Sequence, residues 1–228
     1  EVSPYAYCAA DPVNFIDPTG MTIEYGDSVT DEQRKRMDNH NGTLSQSGLF
    51  TLIYNFLASD FIGIITINFG DIEGSGQFAN GNIIYDPDHF SQAAYIEELI
   101  HAFQAVFGQM NDPSINKEYE ARMITETILG EVDESLYSVN FPNDKFPELL
   151  DYFIGLHEDL YLVKRGFSLR SESYKQEYQK YGKMFVDYYK DKYSDDSSYH
   201  VPTTAPSRLF VYLFGCYKII NFLMNTFK

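Results

Sequence analysis

The stretch YIEELIHAFQAVFG, residues 95–108, decides the fold because it combines a broad apolar face with a patterned polar edge. Successive residues of an α-helix are rotated by about 100°, so the direction of each side chain can be predicted. Glu97, His101, Gln104 and Gly108 form a narrow stripe, and Glu98 lies beyond that stripe. The apolar face beside the stripe consists of Ile96, Leu99, Ile100, Phe103, Val106 and Phe107. We therefore expect a helix that buries this face and presents Glu97 and His101 to a cleft.

The composition of the chain indicates a folded protein with a strongly acidic surface. Of its 228 residues, 44% are hydrophobic and 16% are aromatic, which is enough to bury a sizeable core. The formal net charge is -16 at pH 7. Such a surface repels the phosphates of nucleic acids and of anionic membranes, so we expect neither of them as a partner.

The residues before the motif helix predict two helices followed by a β section. SVTDEQRKRMDNH begins with Ser28 or Thr30 as an N-cap, and SQSGLFTLIYNFLAS repeats apolar residues at helical spacing. We therefore interpret residues 22–60 as helical. FIGIITINFG and QFANGNIIYDP have the composition of strands, and Asn80-Gly81 is a strong hairpin signal.

The residues after the motif helix predict a helical C-terminal half. Aromatic residues at helical spacing predict a buried stripe made of Tyr174, Tyr178, Tyr181, Phe185 and Tyr188. Residues 209–223 are almost entirely apolar but are short for a membrane span of about 20 residues. They predict a buried last helix and no membrane span. The predicted fold class is α+β, mainly helical, with a small antiparallel or mixed sheet before the motif helix.

The helix predicted after the motif helix carries a carboxylate on its buried side. In NDPSINKEYEARMITETILGE, residues 111–131, the buried face is defined by Met123, Ile124, Thr127 and Ile128. Glu120 falls in the middle of that face, whereas Glu118, Arg122 and Glu126 lie on the opposite side, which we expect to be solvated. Because a carboxylate on an apolar face needs a positive or protonated partner, we expect Glu120 to converge with His101.

The order of these elements resembles that of the zincin metallopeptidases, whose active-site helix carries the pattern His-Glu-x-x-His. Glu97-Glu98-Leu99-Ile100-His101 departs from that pattern at its first position. In zincins the first and fifth positions bind the metal because they stack on one side of the helix, and the second position is the general base. The resemblance therefore implies Glu97 and His101 as metal ligands and Glu98 as the catalytic base.

The third ligand is implied by the resemblance to the gluzincin branch of these peptidases. In that branch the third ligand is a glutamate on the helix after the motif, and one large group separates it from the second histidine by eighteen residues. Residues 102–119 supply the same interval between His101 and Glu120. The spacing therefore implies Glu120, the residue that helical phase already placed on the buried face, as the third metal ligand.

Three outcomes are open for a group made of Glu97, His101 and Glu120. In the first, the group binds a metal; two carboxylates and one imidazole are a hard set, so manganese and iron suit it as well as zinc. In the second, no metal binds, and His101 is an imidazolium between two carboxylates that hold the fold together. In the third, Glu98 and His101 perform acid–base chemistry without a metal.

The first twenty residues resemble the end of a bacterial RHS-repeat-associated core domain. The matching segments are YAYC at residues 5–8, DPVN at residues 11–14 and the DPxG signature Asp17-Pro18-Thr19-Gly20. In that family a variable C-terminal module follows the signature, and such modules are commonly toxins or effectors of polymorphic toxin systems. The resemblance implies a domain boundary between residues 1–21 and an effector domain at residues 22–228. It also implies secretion or delivery at the cell surface, and an immunity protein as a partner.

These patterns together favour a zincin-like effector that hydrolyses the peptide bonds of a protein or peptide substrate with metal-activated water. In this interpretation Glu97, His101 and Glu120 bind the metal, and Glu98 is catalytic. The alternative interpretation is a catalytically inactive zincin-like module that binds proteins and holds no metal.

Overall fold

The computed structural model describes residues 23–59, 64–111, 116–138, 147–158, 171–192, 205–207, 209–211 and 213–214. Within these residues the protein is mainly helical and has one small mixed sheet, which confirms the predicted fold class. The RHS-like segment and most of the predicted last helix lie outside the described residues.

Among the described residues, the strands lie in the first half of the chain and helices occur in both halves. The strands are β1 (Ile23–Tyr25), β2 (Ile65–Phe69), β3 (Gly76–Ala79) and β4 (Asn82–Tyr85). The helices are α1 (Asp31–Leu44), α2 (Gly48–Leu57), α3 (Gln92–Val106), α4 (Asn116–Val132), α5 (Pro147–Glu158) and α6 (Glu172–Lys192). Short 3-10 turns lie at Gln109–Asn111 and Glu134–Leu136. Contacts divide the chain inside α3, between Phe103 and Gln104, into a first and a second compact unit.

The sheet belongs to the first unit and has the strand order β1-β2-β4-β3. β1 pairs with β2, and β2 with β4, in parallel, whereas β3 pairs with β4 antiparallel. β2 buries Ile65, Ile67 and Phe69 and half-exposes the residues between them, as expected for a strand with one face on a core. β3 stands at one end of the order, so one of its edges has no strand partner within the described part of the chain.

Asn80 and Gly81 connect β3 and β4, as their sequence predicts. Their φ angles are 50° and 78°, so both residues adopt the left-handed conformation that a two-residue type I′ hairpin requires. The backbone N–H of Thr66 donates to the carbonyl oxygen of Gly81 at 2.9 Å. This bond holds the hairpin against β2.

Both predicted helices before the sheet are present, and each begins at a capping side chain. Of the two predicted caps of α1, Thr30 is the one observed: its hydroxyl accepts from the Gln33 backbone N–H, and the Gln33 side chain accepts from the Thr30 backbone N–H. The interpretation of residues 22–60 as entirely helical was wrong at Ile23–Tyr25, which forms β1. Ile23 pairs with Ile65, and a partner so distant in sequence leaves no local signal.

Helix α3 confirms most of the predicted apolar face and ends earlier than its pattern suggests. The buried residues of that face are Ile96, Leu99, Ile100 and Phe103. Gly108 adopts a φ of 74°, and its N–H donates to the carbonyl oxygen of Ala105, which ends the helix. Val106 and Phe107 are 43% and 46% exposed, so the prediction that they extend the buried face was wrong.

In the second unit, α4 packs against α5 and α6 through aromatic side chains. Tyr119 of α4 lies edge-on to Tyr178 of α6, with ring centroids 5.0 Å apart. Tyr152 of α5 stacks on Tyr181 of α6 at 4.0 Å. Such aromatic pairs contribute about 0.5–1.5 kcal/mol each beyond their burial.

The predicted aromatic stripe of α6 is buried at three positions and half-buried at two. Tyr174, Tyr178 and Phe185 are buried, and Tyr181 and Tyr188 are half-buried. Among the helices that the structure describes, none has both the length and the apolar character needed to cross a membrane.

His40 on α1 creates a pH dependence in the first unit. Its ring stacks on Tyr95 and lies 5.3 Å from the ring of Phe90, and its Nε2 atom is buried without a hydrogen-bond partner. Burial lowers the pKa of His40 below the ordinary value of 6.5, and the nearby Arg36 lowers it further.

The folded protein therefore binds fewer protons at His40 than the unfolded chain does. Stability that is present above pH 6.5 is lost as the pH falls below that value. We expect the wild type to lose more stability than His40→Phe between about pH 7.5 and about pH 5, because the variant keeps a ring and cannot be protonated. Urea unfolding at several pH values measures this difference. Superimposable pH profiles would contradict the assigned environment of His40.

Candidate metal centre

Helix α3 holds Glu97 and His101 one turn apart on the same side. The helix starts where Ser91 caps it: the Ser91 hydroxyl accepts from the Ala94 N–H at 3.2 Å, and its carbonyl accepts from the Tyr95 N–H at 2.9 Å. The position of the Glu97–His101 pair along the helix is therefore fixed by a defined helix start.

Two buried tyrosines anchor the first turns of α3 within the first unit. The Tyr85 hydroxyl donates to the carbonyl oxygen of Tyr95 at 3.1 Å, and the Tyr95 hydroxyl donates to Oδ1 of Asn41 at 2.7 Å. Burial raises the pKa of both tyrosines well above the ordinary value, so both stay neutral donors. These bonds tie the start of α3 to β4 and α1.

Glu97, His101 and Glu118 form a group that can hold a metal ion. Each offers one ligand atom, a carboxylate oxygen or an imidazole nitrogen, and the three atoms lie within 4.8 Å of one another. His101 is buried, whereas Glu97 and Glu118 are half-buried. No other group of three such side chains occurs among the described residues.

The donor atoms of this group fit a divalent cation. Two carboxylates balance the charge of the cation, and one imidazole completes a set of three ligands that leaves a coordination position open. Oxygen and imidazole donors suit manganese, iron and zinc. These donor types are the ones that the sequence predicts, although the third residue is a different glutamate.

Glu120, the predicted third ligand, is buried and accepts hydrogen bonds from Ser207, Tyr178 and Gln109. Its Oε1 accepts from the Ser207 backbone N–H at 2.7 Å and from the Tyr178 hydroxyl at 2.8 Å. Its Oε2 accepts from the Ser207 hydroxyl at 2.6 Å and from Nε2 of Gln109. A carboxylate has about four acceptor sites, and these four donors occupy them.

The donors that satisfy Glu120 are neutral, and His101 is not among them, so Glu120 as a metal ligand stays a prediction. Burial raises the pKa of the Glu120 carboxyl, and the hydrogen bonds from Ser207, Gln109 and Tyr178 oppose that rise. In the group that can hold a metal, Glu118 stands in the place that the spacing gave to Glu120.

The predicted solvated side of α4 was wrong. Glu126 is completely buried, and it accepts from the backbone N–H of Ser138 at 2.9 Å and from the Ser138 hydroxyl. Arg122 and Glu118 are half-buried. A helix that is enclosed on most of its circumference has no water-facing stripe, so helical phase alone cannot separate its polar residues.

Glu98, the predicted base, is buried against the edge strand. A Cβ atom added to Gly76, the first residue of β3, would lie 2.6 Å from Cγ of Glu98 and 3.0 Å from its Oε1. The lack of a side chain at Gly76 thus makes room for the Glu98 side chain. Glu98 and His101 are three residues apart on α3, so they are neighbours on its surface.

No protein-family model, curated protein or solved structure matches this chain.

The contact between Gly76 and Glu98 predicts a coupled effect on stability. Gly76→Ala is expected to destabilise the protein by about 1–3 kcal/mol, because the new methyl group overlaps Glu98. Glu98→Ala removes the overlapped atoms, so the double variant should recover part of the loss, with a coupling of about 0.5–3 kcal/mol. Urea unfolding of the wild type and the three variants measures the cycle.

Gly70→Ala is the matched control for this cycle. Its added Cβ would meet only Cγ2 of Ile84 at 3.5 Å, which is ordinary contact, so it should show no coupling to Glu98→Ala. Additive effects of Gly76→Ala and Glu98→Ala would contradict the contact.

Proposed function

We propose that this chain is a metal-dependent hydrolase that cleaves peptide bonds, with Glu97, His101 and Glu118 as ligands and Glu98 as the general base. The observation that carries the proposal is the approach of three ligand atoms to within 4.8 Å of one another. Two of these ligands share α3 with a buried carboxylate that directly follows the first of them. Three ligands and an adjacent base are the minimum set for metal-assisted hydrolysis.

The residues of this chain would divide the chemistry between them. A bound divalent cation would supply a Lewis acid for the scissile carbonyl and would lower the pKa of water. Glu98 would accept the proton of the attacking water and pass it to the departing amide nitrogen. Because two of the three ligands are anionic, the cation keeps less positive charge than it would with two imidazoles. A well-placed base is therefore more important here.

The edge of β3 supports a peptide as the substrate. β3 begins at Gly76, beside Glu98, and pairs only with β4 within the described residues. An extended peptide can join such an edge through main-chain hydrogen bonds. A peptide paired with β3 would pass close to the Glu98 carboxyl, which is where the proposed base has to act.

The N-terminal resemblance adds a biological setting to the proposal. The DPxG signature at residues 17–20 supports an effector module of a bacterial RHS polymorphic toxin protein. Such a module would be secreted or delivered at the cell surface and would meet a protein or peptide substrate. An immunity protein would be the partner that protects the producing cell.

A second candidate function is a protein-binding module in which the same group holds no metal. The observation that favours it is the closeness of two carboxylates, Glu97 and Glu118, to the imidazole of His101. A protonated His101 between these carboxylates would form an ion cluster that supports the fold without catalysis.

Metal binding distinguishes the two candidates. Chelator-treated wild type is expected to gain about 2.7 kcal/mol of stability when Zn²⁺, Mn²⁺ or Fe²⁺ is present at about 100 times its Kd. Glu97→Gln, His101→Ala and Glu118→Gln should lose this gain. Glu32→Gln, an exposed residue of α1, should keep it. Thermal unfolding with and without each cation is the measurement.

Glu97→His sharpens this test. If Glu97 is a ligand, the variant has two imidazoles and one carboxylate and should bind zinc more tightly than the wild type does. If the group is metal-free, the variant removes a counter-charge beside His101 and should be less stable near neutral pH. If none of the three cations changes the thermal stability of either the wild type or Glu97→His, the result contradicts the hydrolase and supports the binding module.

Glu98→Gln separates binding from catalysis. The variant should keep the metal response of the wild type, because Glu98 is not a proposed ligand, and should cleave peptides about 10²–10⁴-fold more slowly. Mass spectrometry of a peptide library incubated with metal-loaded protein measures the rate. Cleavage at the wild-type rate would show that Glu98 is not the base.

A further inference from the structure

We propose that Glu120 is the positioning residue for Glu118, the third ligand of the candidate metal centre. This inference rests on the proposed function, because it takes Glu118 to be a ligand. The two residues lie near the start of α4 (Asn116–Val132) and are separated only by Tyr119. The backbones of two residues in the same turn of a helix cannot move independently. Bonds that fix the backbone at Glu120 therefore also fix the backbone at Glu118.

Glu120 joins α4 to three other segments of the second unit. Gln109 comes from the 3-10 turn after α3, Tyr178 comes from α6, and Ser207 comes from the segment 205–207. Ser207 donates through both its backbone N–H and its hydroxyl, and the same hydroxyl oxygen accepts from the Phe210 N–H. One buried carboxylate thus collects donors from three separate parts of the chain.

Two more hydrogen bonds hold the first turn of α4 before Glu118. Nδ2 of Asn116 donates to the carbonyl oxygen of Ala205 at 3.1 Å, and Nε2 of Gln104 donates to the carbonyl oxygen of Lys117 at 2.8 Å. Glu118 therefore stands between residues that are tied on both sides. Glu120 accepts four hydrogen bonds at the next turn of the helix.

The geometry of these bonds controls the rotation of α4 about its axis. A rotation that carries Glu118 away from its place also carries the Glu120 carboxyl away from its donors. Glu120 is almost completely buried, so such a rotation leaves buried polar groups unpaired. Glu120 contributes in this way to metal binding without touching the metal.

The role requires a carboxylate rather than an amide. All four partners donate to Glu120, and a carboxylate accepts at both oxygens. In Glu120→Gln one oxygen becomes an NH₂ group that faces donors, among them Nε2 of Gln109. The turn that carries Glu118 would then lose bonds on one side.

The experiment compares Glu120→Gln with Glu126→Gln. Both residues are buried glutamates of α4, but Glu126 binds Ser138 near the other end of the helix. We expect Glu120→Gln to weaken Zn²⁺ binding by roughly 10–100-fold, the usual effect of losing a group that orients a ligand. Glu126→Gln should stay within about twofold of the wild type, because the remaining amide oxygen can still accept from Ser138 and Arg122, its two partners in the structure. Competition with a chelator gives the Zn²⁺ affinities. It is carried out without urea, after circular dichroism has shown that each variant is folded.

The absorption spectrum of bound Co²⁺ supplies a readout that a general loss of stability does not change. We expect Glu120→Gln, and not Glu126→Gln, to alter this spectrum, because a displaced Glu118 changes the coordination of the ion.

If Glu120→Gln does not fold, the milder pair Tyr178→Phe and Tyr181→Phe replaces it. Both are on α6, and only Tyr178 donates to Glu120. Tyr178→Phe should then weaken Zn²⁺ binding and alter the Co²⁺ spectrum, and Tyr181→Phe should do neither.

The outcomes separate this inference from the proposed function. A wild type that binds neither Zn²⁺ nor Co²⁺ overturns both. A wild type that binds them, with Glu120→Gln matching Glu126→Gln in affinity and spectrum, overturns the positioning role alone. A selective loss in Glu120→Gln or in Tyr178→Phe supports it.

Discussion

A carboxylate that leaves water must find hydrogen-bond donors or a cation, and this constraint governs the glutamates of the chain. Glu98, Glu120 and Glu126 are all buried, in a protein whose net charge of -16 leaves few cations to pair with them. An uncompensated buried charge costs several kcal/mol, which is a large part of the stability of an ordinary domain. The fold therefore brings neutral donors to Glu120 from distant segments, whereas Glu126 pairs with Arg122 on the same helix and accepts from Ser138 just after it.

The same constraint sorts these glutamates into structural and functional groups. Glu120 and Glu126 already accept hydrogen bonds from Ser207 and Ser138 respectively, so their oxygens are committed to holding α4 in place. Glu118 is half-buried and lies in the group with ligand geometry. A ligand needs an oxygen that can exchange a water molecule for a metal, and a carboxylate saturated by protein donors does not provide one.

Much of the fold could be predicted from local sequence, because the signals act over a few residues. The Thr30 capping box, the Asn80-Gly81 hairpin and the apolar phase of α3 each depend on neighbours within about one helical turn or one hairpin. β1 could not be predicted in this way, since three residues become a strand only when β2 is beside them. The exposure of Val106 and Phe107 likewise depends on where Gly108 ends the helix.

The sequence by itself determined the donor chemistry of the candidate site. The spacing of Glu97 and His101 places a carboxylate and an imidazole on one side of a helix, whatever surrounds them. Phase on α4 also predicted the burial of Glu120, but it did not distinguish Glu120 from Glu126, which is buried as well.

Only the tertiary structure decided which glutamate completes the group. The side chains of Glu118 and Glu120 point about 200° apart around α4. The surroundings that each side chain meets are set by the elements that pack against the helix. Ser207, Tyr178 and Gln109 converge on Glu120 from segments that are far apart in the chain and supply its four hydrogen bonds, whereas Glu118 lies in the group that can hold a metal. Local spacing cannot express such a convergence, because it arises from the packing of elements rather than from the conformation of any one of them.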